Sequence, residues 1–360
     1  MQDDNPLDVI AAVPPDFSAG NAIDIARTHY GLNARAKRLV SERDSNFRLD
    51  ANDGRRYVLK IANAAEDPLV TDFQVQALMH IAHYAAANAL PVEVPAIVPA
   101  LDGSASIAVD SGQGTHVARV VTWVDGTPLD GGPVSAGLAR DMGRSLAHLG
   151  LALAGFEHEG SRHSLLWDLQ QAHAIRPLFA HIENHSLRDV VTRAIDEFER
   201  EALPAFPALR RQVIHSDLNT ENVLLRRDDP QSVAGIIDFG DMLEAPLVAD
   251  VAIGACYLRG LDGHPLQLIA DFVAGYHAVQ RLDDAEIDLL FTLIKARLAV
   301  SIAILYWRVA ARADDDPYLG KLLNAENSAE KFLPLIEQIP PGHARRVFRQ
   351  VCASAGQPEL

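Results

Sequence analysis

Val213-Ile214-His215-Ser216-Asp217-Leu218-Asn219-Thr220-Glu221-Asn222-Val223-Leu224-Leu225 sets a histidine, an aspartate and an asparagine between two short apolar runs. Downstream, Gly235-Ile236-Ile237-Asp238-Phe239-Gly240 places another aspartate 21 residues after Asp217. The runs 212–214, 223–226 and 233–237 read as strands, which puts the polar residues on the loops at their ends. At ordinary residue frequencies the first spacing arises by chance about 0.04 times in a chain this long, and the nearby Asp-Phe-Gly cuts that to roughly 10⁻⁴. Coincidence is a poor explanation.

The spacing H-x-D-L-x-x-x-N followed by D-F-G is that of a kinase catalytic loop. Moving a γ-phosphoryl group asks little covalent chemistry of a protein. It asks for a carboxylate near the attacking hydroxyl and for oxygen ligands to Mg²⁺. Asp217 suits the first role, as base or as orienter of the acceptor; Asn222 and Asp238 suit the second. Alone, Asp217 reads as a turn residue and Asn222 as a cap. His215 reads as a packed support for the loop and the Asp-Phe-Gly segment.

The rest of the composition narrows the setting. The chain has 360 residues, 32 Lys+Arg against 48 Asp+Glu and a net charge of −16, which argues against a nucleic-acid partner. With 48% hydrophobic and 22% charged residues it has the balance of a globular protein, and its length suggests two packed bodies. Two distant cysteines, Cys256 and Cys352, offer neither a disulfide framework nor a zinc ribbon. The start, Met1-Gln2-Asp3-Asp4, lacks a secretory pattern, and the longest apolar run, 298–307, is short of the ~20 residues a membrane helix needs. A cytoplasmic location with no membrane partner is the expectation.

Along the chain, residues 1–20 read as a loose arm, and Asn21 as the N-cap of a helix ending at Gly31. Short β-like runs fill 36–61, with Asn52-Asp53-Gly54 as a hairpin signal. Pro68 opens a helix, and two more strands follow at 106–109 and 116–122. After Trp123-Val124-Asp125-Gly126 the period becomes helical, with helices expected near 134–153, 165–180, 186–202, 247–258, 265–279, 284–312 and 316–336. The expected fold class is α+β: a nucleotide-binding body over 21–122, a hinge at 123–126 and a helical body over 127–360. The helix near 284–312 reads as core, with Leu298, Ile302, Leu305 and Val309 on one stripe.

A kinase reading requires a phosphate-binding lysine on a strand of the first body, and Tyr57-Val58-Leu59-Lys60-Ile61 supplies Lys60. Its acidic partner is expected to be Asp72, with Glu66 as the substitute. Where protein kinases carry a glycine-rich loop, Ser41-Glu42-Arg43-Asp44-Ser45-Asn46-Phe47 has no glycine, so Ser41, Ser45 and Asn46 are the expected phosphate contacts.

Together with Leu166-Trp167-Asp168-Leu169 and Ala249-Asp250-Val251-Ala252, these segments make residues 20–335 resemble the aminoglycoside phosphotransferase and choline kinase superfamily. Within it the chain is most similar to hydroxylysine kinases and to phosphotransferase domains fused to class III aminotransferases. The resemblance implies a two-lobed kinase-like fold with Thr122, Trp123 and Val124 as the hinge against the nucleotide. It makes Asp217 the base, Asn222 and Asp238 ligands of Mg²⁺, and Lys60 the contact to the phosphates of ATP or GTP. Trp123 departs from the commoner tyrosine, and Asp72 from the usual glutamate. The implied acceptor is an amino alcohol or a hydroxy amino acid; homoserine, choline, ethanolamine and aminoglycosides are alternatives. A cationic acceptor needs carboxylates, for which Asp168, Asp241 and Glu244 are candidates. Asp250 reads as a helix-start residue bracing the loop. The contrasting expectation is a non-catalytic pseudokinase regulating a partner, against which the intact set of Lys60, Asp217, Asn222 and Asp238 speaks.

Overall fold

The computed structural model describes residues 14–41, 43–112, 114–260, 264–311 and 328–355. The chain divides into two units, one comprising the chain up to Asp125 together with Gly155–Leu165, the other Gly126–Ala154 and Leu166 onward. The fold is α+β, with an antiparallel sheet in the first unit and mainly helices in the second.

The first unit opens with helix α1, Ala19–Tyr30, whose N-cap lies three residues before the expected one. Ser18 is its N-cap; Asn21 sits three residues on and closes a capping box by accepting from the Ser18 backbone N–H at 2.9 Å. Of the expected loose arm, residues 1–13 lie outside the described residues. Strands β1 (Ala34–Arg38), β2 (Ser45–Ala51), β3 (Arg56–Ile61), β4 (Ile97–Val98), β5 (Ile107–Asp110) and β6 (Thr115–Thr122) form the sheet, in the order β1-β2-β3-β6-β4 with β5 also on β6.

Strand alternation sorts this sheet into two faces. Phe47, Leu49, Tyr57, Leu59, Ile61, Ala118 and Val120 pack with Ala22, Ala26 and Tyr30 of α1. The opposite face carries a polar row, because the register pairs Asn46 with Lys60 and Lys60 with Arg119. Helix α2 (Pro68–Ala87) is tied to that row through Gln74, which accepts a hydrogen bond from the buried Arg119.

In the second unit, β7 (Thr127–Pro128) pairs with β9 (Val223–Leu225), and β9 with β10 (Val233–Ile236). Strand β8 (Arg211–Ile214) pairs with β11 (Leu243–Pro246). Strands β4, β7 and β11 are absent from the sequence-based expectation; two are only two residues long, and β11 borrows a proline as its last member. Helices α3 (Ala136–Leu153), α4 (His185–Glu197), α5 (Leu247–Ala255), α6 (Gln267–Val279), α7 (Asp284–Ala311), α8 (Ala329–Ile336) and α9 (Pro341–Ala355) build the body. The expected helix at 165–180 is instead a run of 3₁₀ turns over Leu169–His181 containing Pro177, and 186–202 ends in a π turn at Phe198–Ala202. Residues 316–327 of another expected helix lie outside the described residues.

Glycine allows α3 and α6 to meet. A Cβ on Gly143 would stand 2.0 Å from the Phe272 carbonyl oxygen, and one on Gly275 2.0 Å from that of Arg140. Helix α7 runs through the interior. Over Asp284–Ala310 it is long and apolar enough to cross a membrane, which the ten-residue run at 298–307 understated, yet 83% of its most apolar window is buried inside the protein. That burial accounts for its composition as a core helix.

Candidate active site

The hairpin β9–β10 and the loop after β8 bring the catalytic-loop residues together. Asp250, in the first turn of α5, accepts from the backbone N–H of His215 at 3.2 Å and of Ser216 at 2.8 Å. Those two bonds hold Ser216 in the left-handed region at φ 64°. The His215 Nδ1 accepts from the Asp217 N–H at 3.3 Å, so its Nε2 carries the proton that reaches the Ile237 carbonyl at 3.1 Å. Burial pushes the His215 pKa down, and the ring packs edge-on against Phe239 at 4.9 Å. A neutral, fully packed imidazole is placed to brace the loop.

Asp217 Oδ2 accepts from Asn219 Nδ2 at 3.0 Å and from Asn222 Nδ2 at 2.8 Å. Burial raises the Asp217 pKa well above the carboxylate range; Asp241 and Asp238 push the same way, and Arg297 opposes them. Asp241 is thus near Asp217. The Asn222 backbone carbonyl accepts from the Ile237 N–H at 3.0 Å, which sets Asn222 and Asp238 at one end of the hairpin. Asp238 is exposed and left-handed at φ 62°. The Asn222 Nδ2 also donates to the Asp217 carbonyl at 2.8 Å, so the amide nitrogen is fully engaged and its Oδ1 is the atom left to serve as a ligand.

Two of the acceptor-site candidates have local partners. Asp168 caps the 3₁₀ run, accepting from the Gln170 N–H at 2.9 Å and from Gln170 Nε2 at 3.2 Å. Glu244, in β11, faces Arg211 at 3.3 Å. Both carboxylates are committed to holding local structure. Sequence reasoning missed Arg297, on α7, whose Nη2 stands 3.9 Å from Asp217 Oδ1.

In the first unit, Lys60 lies on the polar face of the sheet next to Asn46. Ser45 points the other way: it is fully buried, donates to the Pro15 carbonyl and accepts from Arg38 Nη2 at 3.0 Å, so it is corrected from phosphate contact to core residue. Ser41 accepts from the Asp44 N–H at 3.4 Å, within the turn that Asn63 secures by donating to Asp44 Oδ1 and the Arg43 carbonyl. Asp72, the expected partner of Lys60, is placed beside a histidine. Its half-exposed carboxylate meets His158 Nε2 at 3.1 Å. Glu66 is the inward acid, accepting from Thr71 Oγ1 at 2.9 Å; burial raises its pKa, and Arg119 is the strongest opposing cation. Thr122 exchanges backbone and side-chain bonds with Ala96 at 2.9 Å, Trp123 lies between Arg48 and Arg56, and Val124 is buried.

Residues 35–290 match the model of the phosphotransferase enzyme family APH. The chain belongs to this family. Hydroxylysine kinase of Danio rerio is 27% identical over 318 residues, covering 85% of this chain and 88% of that one. The Mus musculus hydroxylysine kinase is 25% identical, covering 86% and 87%. Among solved structures, a microcompartment-associated aminopropanol kinase matches with TM-score 0.66 at 19% identity, over 95% of this chain and 99% of that one. An amicoumacin kinase bound to AMP-PNP and Ca²⁺ matches with TM-score 0.64 at 14% identity, over 94% of each chain. The chain is a small-molecule phosphotransferase.

Proposed function

We propose that the chain moves the γ-phosphoryl group of ATP or GTP to a hydroxyl of a small amine-bearing acceptor of the hydroxylysine class, with Mg²⁺ as cofactor. The observation that carries this reading is the meeting of Asp217 with Asn222 at the end of the hairpin that bears Asp238. The donor set fits the cation: an amide carbonyl and an exposed carboxylate are hard oxygen ligands. When bound, Mg²⁺ would neutralise charge on the phosphate oxygens.

In this reading Asp217 aligns the acceptor hydroxyl and takes its proton as the new O–P bond forms and the bond to the β-phosphate breaks. Lys60 contacts the α- and β-phosphates, and Asn46 and the Ser41 turn complete that contact. Trp123, with Thr122 and Val124, forms the hinge against the purine. The hydroxylysine kinases similar to the chain support the acceptor class.

Nucleotide turnover measured with 5-hydroxylysine, homoserine, ethanolamine, choline and kanamycin, each with ATP and GTP, tests the proposal. Turnover with hydroxylysine well above the others supports it. Turnover with none of them, while nucleotide and Mg²⁺ bind, moves the reading to a regulatory pseudokinase.

A further inference from the structure

Arg119 is a cation on the polar face of the first unit's sheet that the phosphoryl-transfer steps above do not use. It lies on β6, in register with Lys60 of β3. Directly opposed residues of an antiparallel pair project from the same face, with their Cβ atoms about 5 Å apart. The Arg119 side chain is 2% exposed. Its Nη2 donates to Gln74 Oε1 on α2, while its buried Nε and Nη1 have no hydrogen-bond partner among the described residues.

Glu66, the inward acid, meets this arginine only at one remove. One of its oxygens accepts from Thr71 Oγ1 at 2.9 Å, and the other stands 3.5 Å from Gln74 Nε2. A neutral amide therefore separates acid from guanidinium, its oxygen toward Arg119 and its nitrogen toward Glu66. The guanidinium stays charged whatever surrounds it, and an amide oxygen meets one of its donors without cancelling that charge. Burial with two donors unmet costs stability, and a like charge directly opposite on the next strand adds to the cost. In a low-dielectric interior such a charge acts well beyond contact distance. What a fixed cation behind a phosphate-binding lysine gains in return is attraction for a polyanion in front of that lysine.

We infer that Arg119 is a positioning residue for the nucleotide, a second and permanent positive charge behind Lys60 that strengthens the hold on polyphosphate without touching it. This rests on the proposed contact of Lys60 with the phosphates and deepens it. Gln74 sets the guanidinium in place, and Glu66 offsets part of the cost of burying it.

Calorimetric titration of the full chain, with ATP and GTP in the presence of Mg²⁺ and with adenosine and guanosine, tests the inference. Arg119→Met is expected to weaken triphosphate binding by about 10-fold or more and to leave nucleoside binding within about twofold. Arg119→Lys keeps the charge and should hold triphosphate affinity within about threefold of the parent. Gln74→Met removes the amide acceptor, keeps the charge and should do the same. Because Arg119→Met strands Glu66 in the interior, the double variant carrying Glu66→Gln with Arg119→Met is titrated beside it, and the same selective loss is expected. Triphosphate affinity equal to the parent in both would overturn the inference. So would equal losses in Arg119→Lys, Gln74→Met and Arg119→Met, or a loss shared alike by nucleoside and triphosphate, which are the marks of packing alone. Lys60→Met separates the two readings. A selective triphosphate loss there, with none in the Arg119 variants, sinks the inference by itself; triphosphate binding that survives Lys60→Met removes the phosphate contact on which it rests.

Discussion

Asn222 is joined to Asp217 twice through one nitrogen, its Nδ2 donating at 2.8 Å to the Asp217 carboxylate and at 2.8 Å to the Asp217 backbone carbonyl. The amide thereby fixes the direction of the carboxylate and presents its own oxygen on the opposite side. In Asn222→Asp the donor becomes an acceptor, so both bonds are lost and a third negative charge joins Asp217 and Asp238. Turnover is expected to fall by at least about 100-fold. Steady-state kinetics across a range of Mg²⁺ concentrations measures this; activity equal to the parent would show that the amide orients nothing.

Asp217→Asn keeps the shape of the side chain and removes the base. Acceptor-dependent turnover should drop by about 10²–10⁴-fold while nucleotide binding, followed by calorimetry, stays within a few fold. Unchanged phosphorylation would remove Asp217 from the chemistry.

Asp250 carries two backbone N–H groups that have no other acceptor in the loop geometry described. Asp250→Ala is expected to destabilise the protein by about 1–3 kcal/mol, the cost of leaving buried donors unmet. Ser216→Gly should be tolerated, since glycine enters the left-handed region without steric cost. Chemical denaturation of the two variants side by side checks the contrast.

Glu66 gives a pH dependence whose sign is fixed. Burial raises its folded-state pKa above the unfolded value, so the folded protein binds the extra proton between the two values. Its contribution to stability is greatest at acid pH and declines as pH rises through that window; above it the full penalty of a buried carboxylate is present. Glu66→Gln should therefore raise the thermal midpoint at pH 8 and change it little at pH 4. Arg119→Met, which removes the cation that offsets Glu66, should do the reverse at pH 8.

The α3–α6 contact predicts a packing effect remote from the loop. Gly275→Ala forces a methyl group onto the Arg140 carbonyl and should cost about 1–3 kcal/mol or more, because backbone must shift. A midpoint of denaturation equal to the parent would contradict the close approach.

Much of this architecture was readable from residue order because local and global preferences agree. Strands β8, β9 and β10 are short apolar runs bounded by polar residues, and the polar residues between them had to lie at strand ends. The first-unit sheet announced itself through Asp53-Gly54 and the alternation around Lys60. Reading failed where orientation within a strand or helix decided the outcome. Ser45 and Asn46 are neighbours with similar chemistry, yet one faces the core and the other the polar row. Asp72 and Glu66 differ likewise: helical phase turns Asp72 toward His158, and Glu66, two residues before the helix, turns inward. Arg297 was invisible because it interrupts an apolar helix, and nothing in the pattern says that Asp217, 80 positions earlier, is its neighbour. Helix α9 was missed since Arg345, Arg346 and Arg349 dilute its apolar stripe of Ala344, Phe348 and Cys352.

The greasy rod formed by α7 has a consequence for biogenesis. Until its neighbours wrap it, a newly made chain exposes a segment with the length and oiliness that membrane-insertion machinery and chaperones seek.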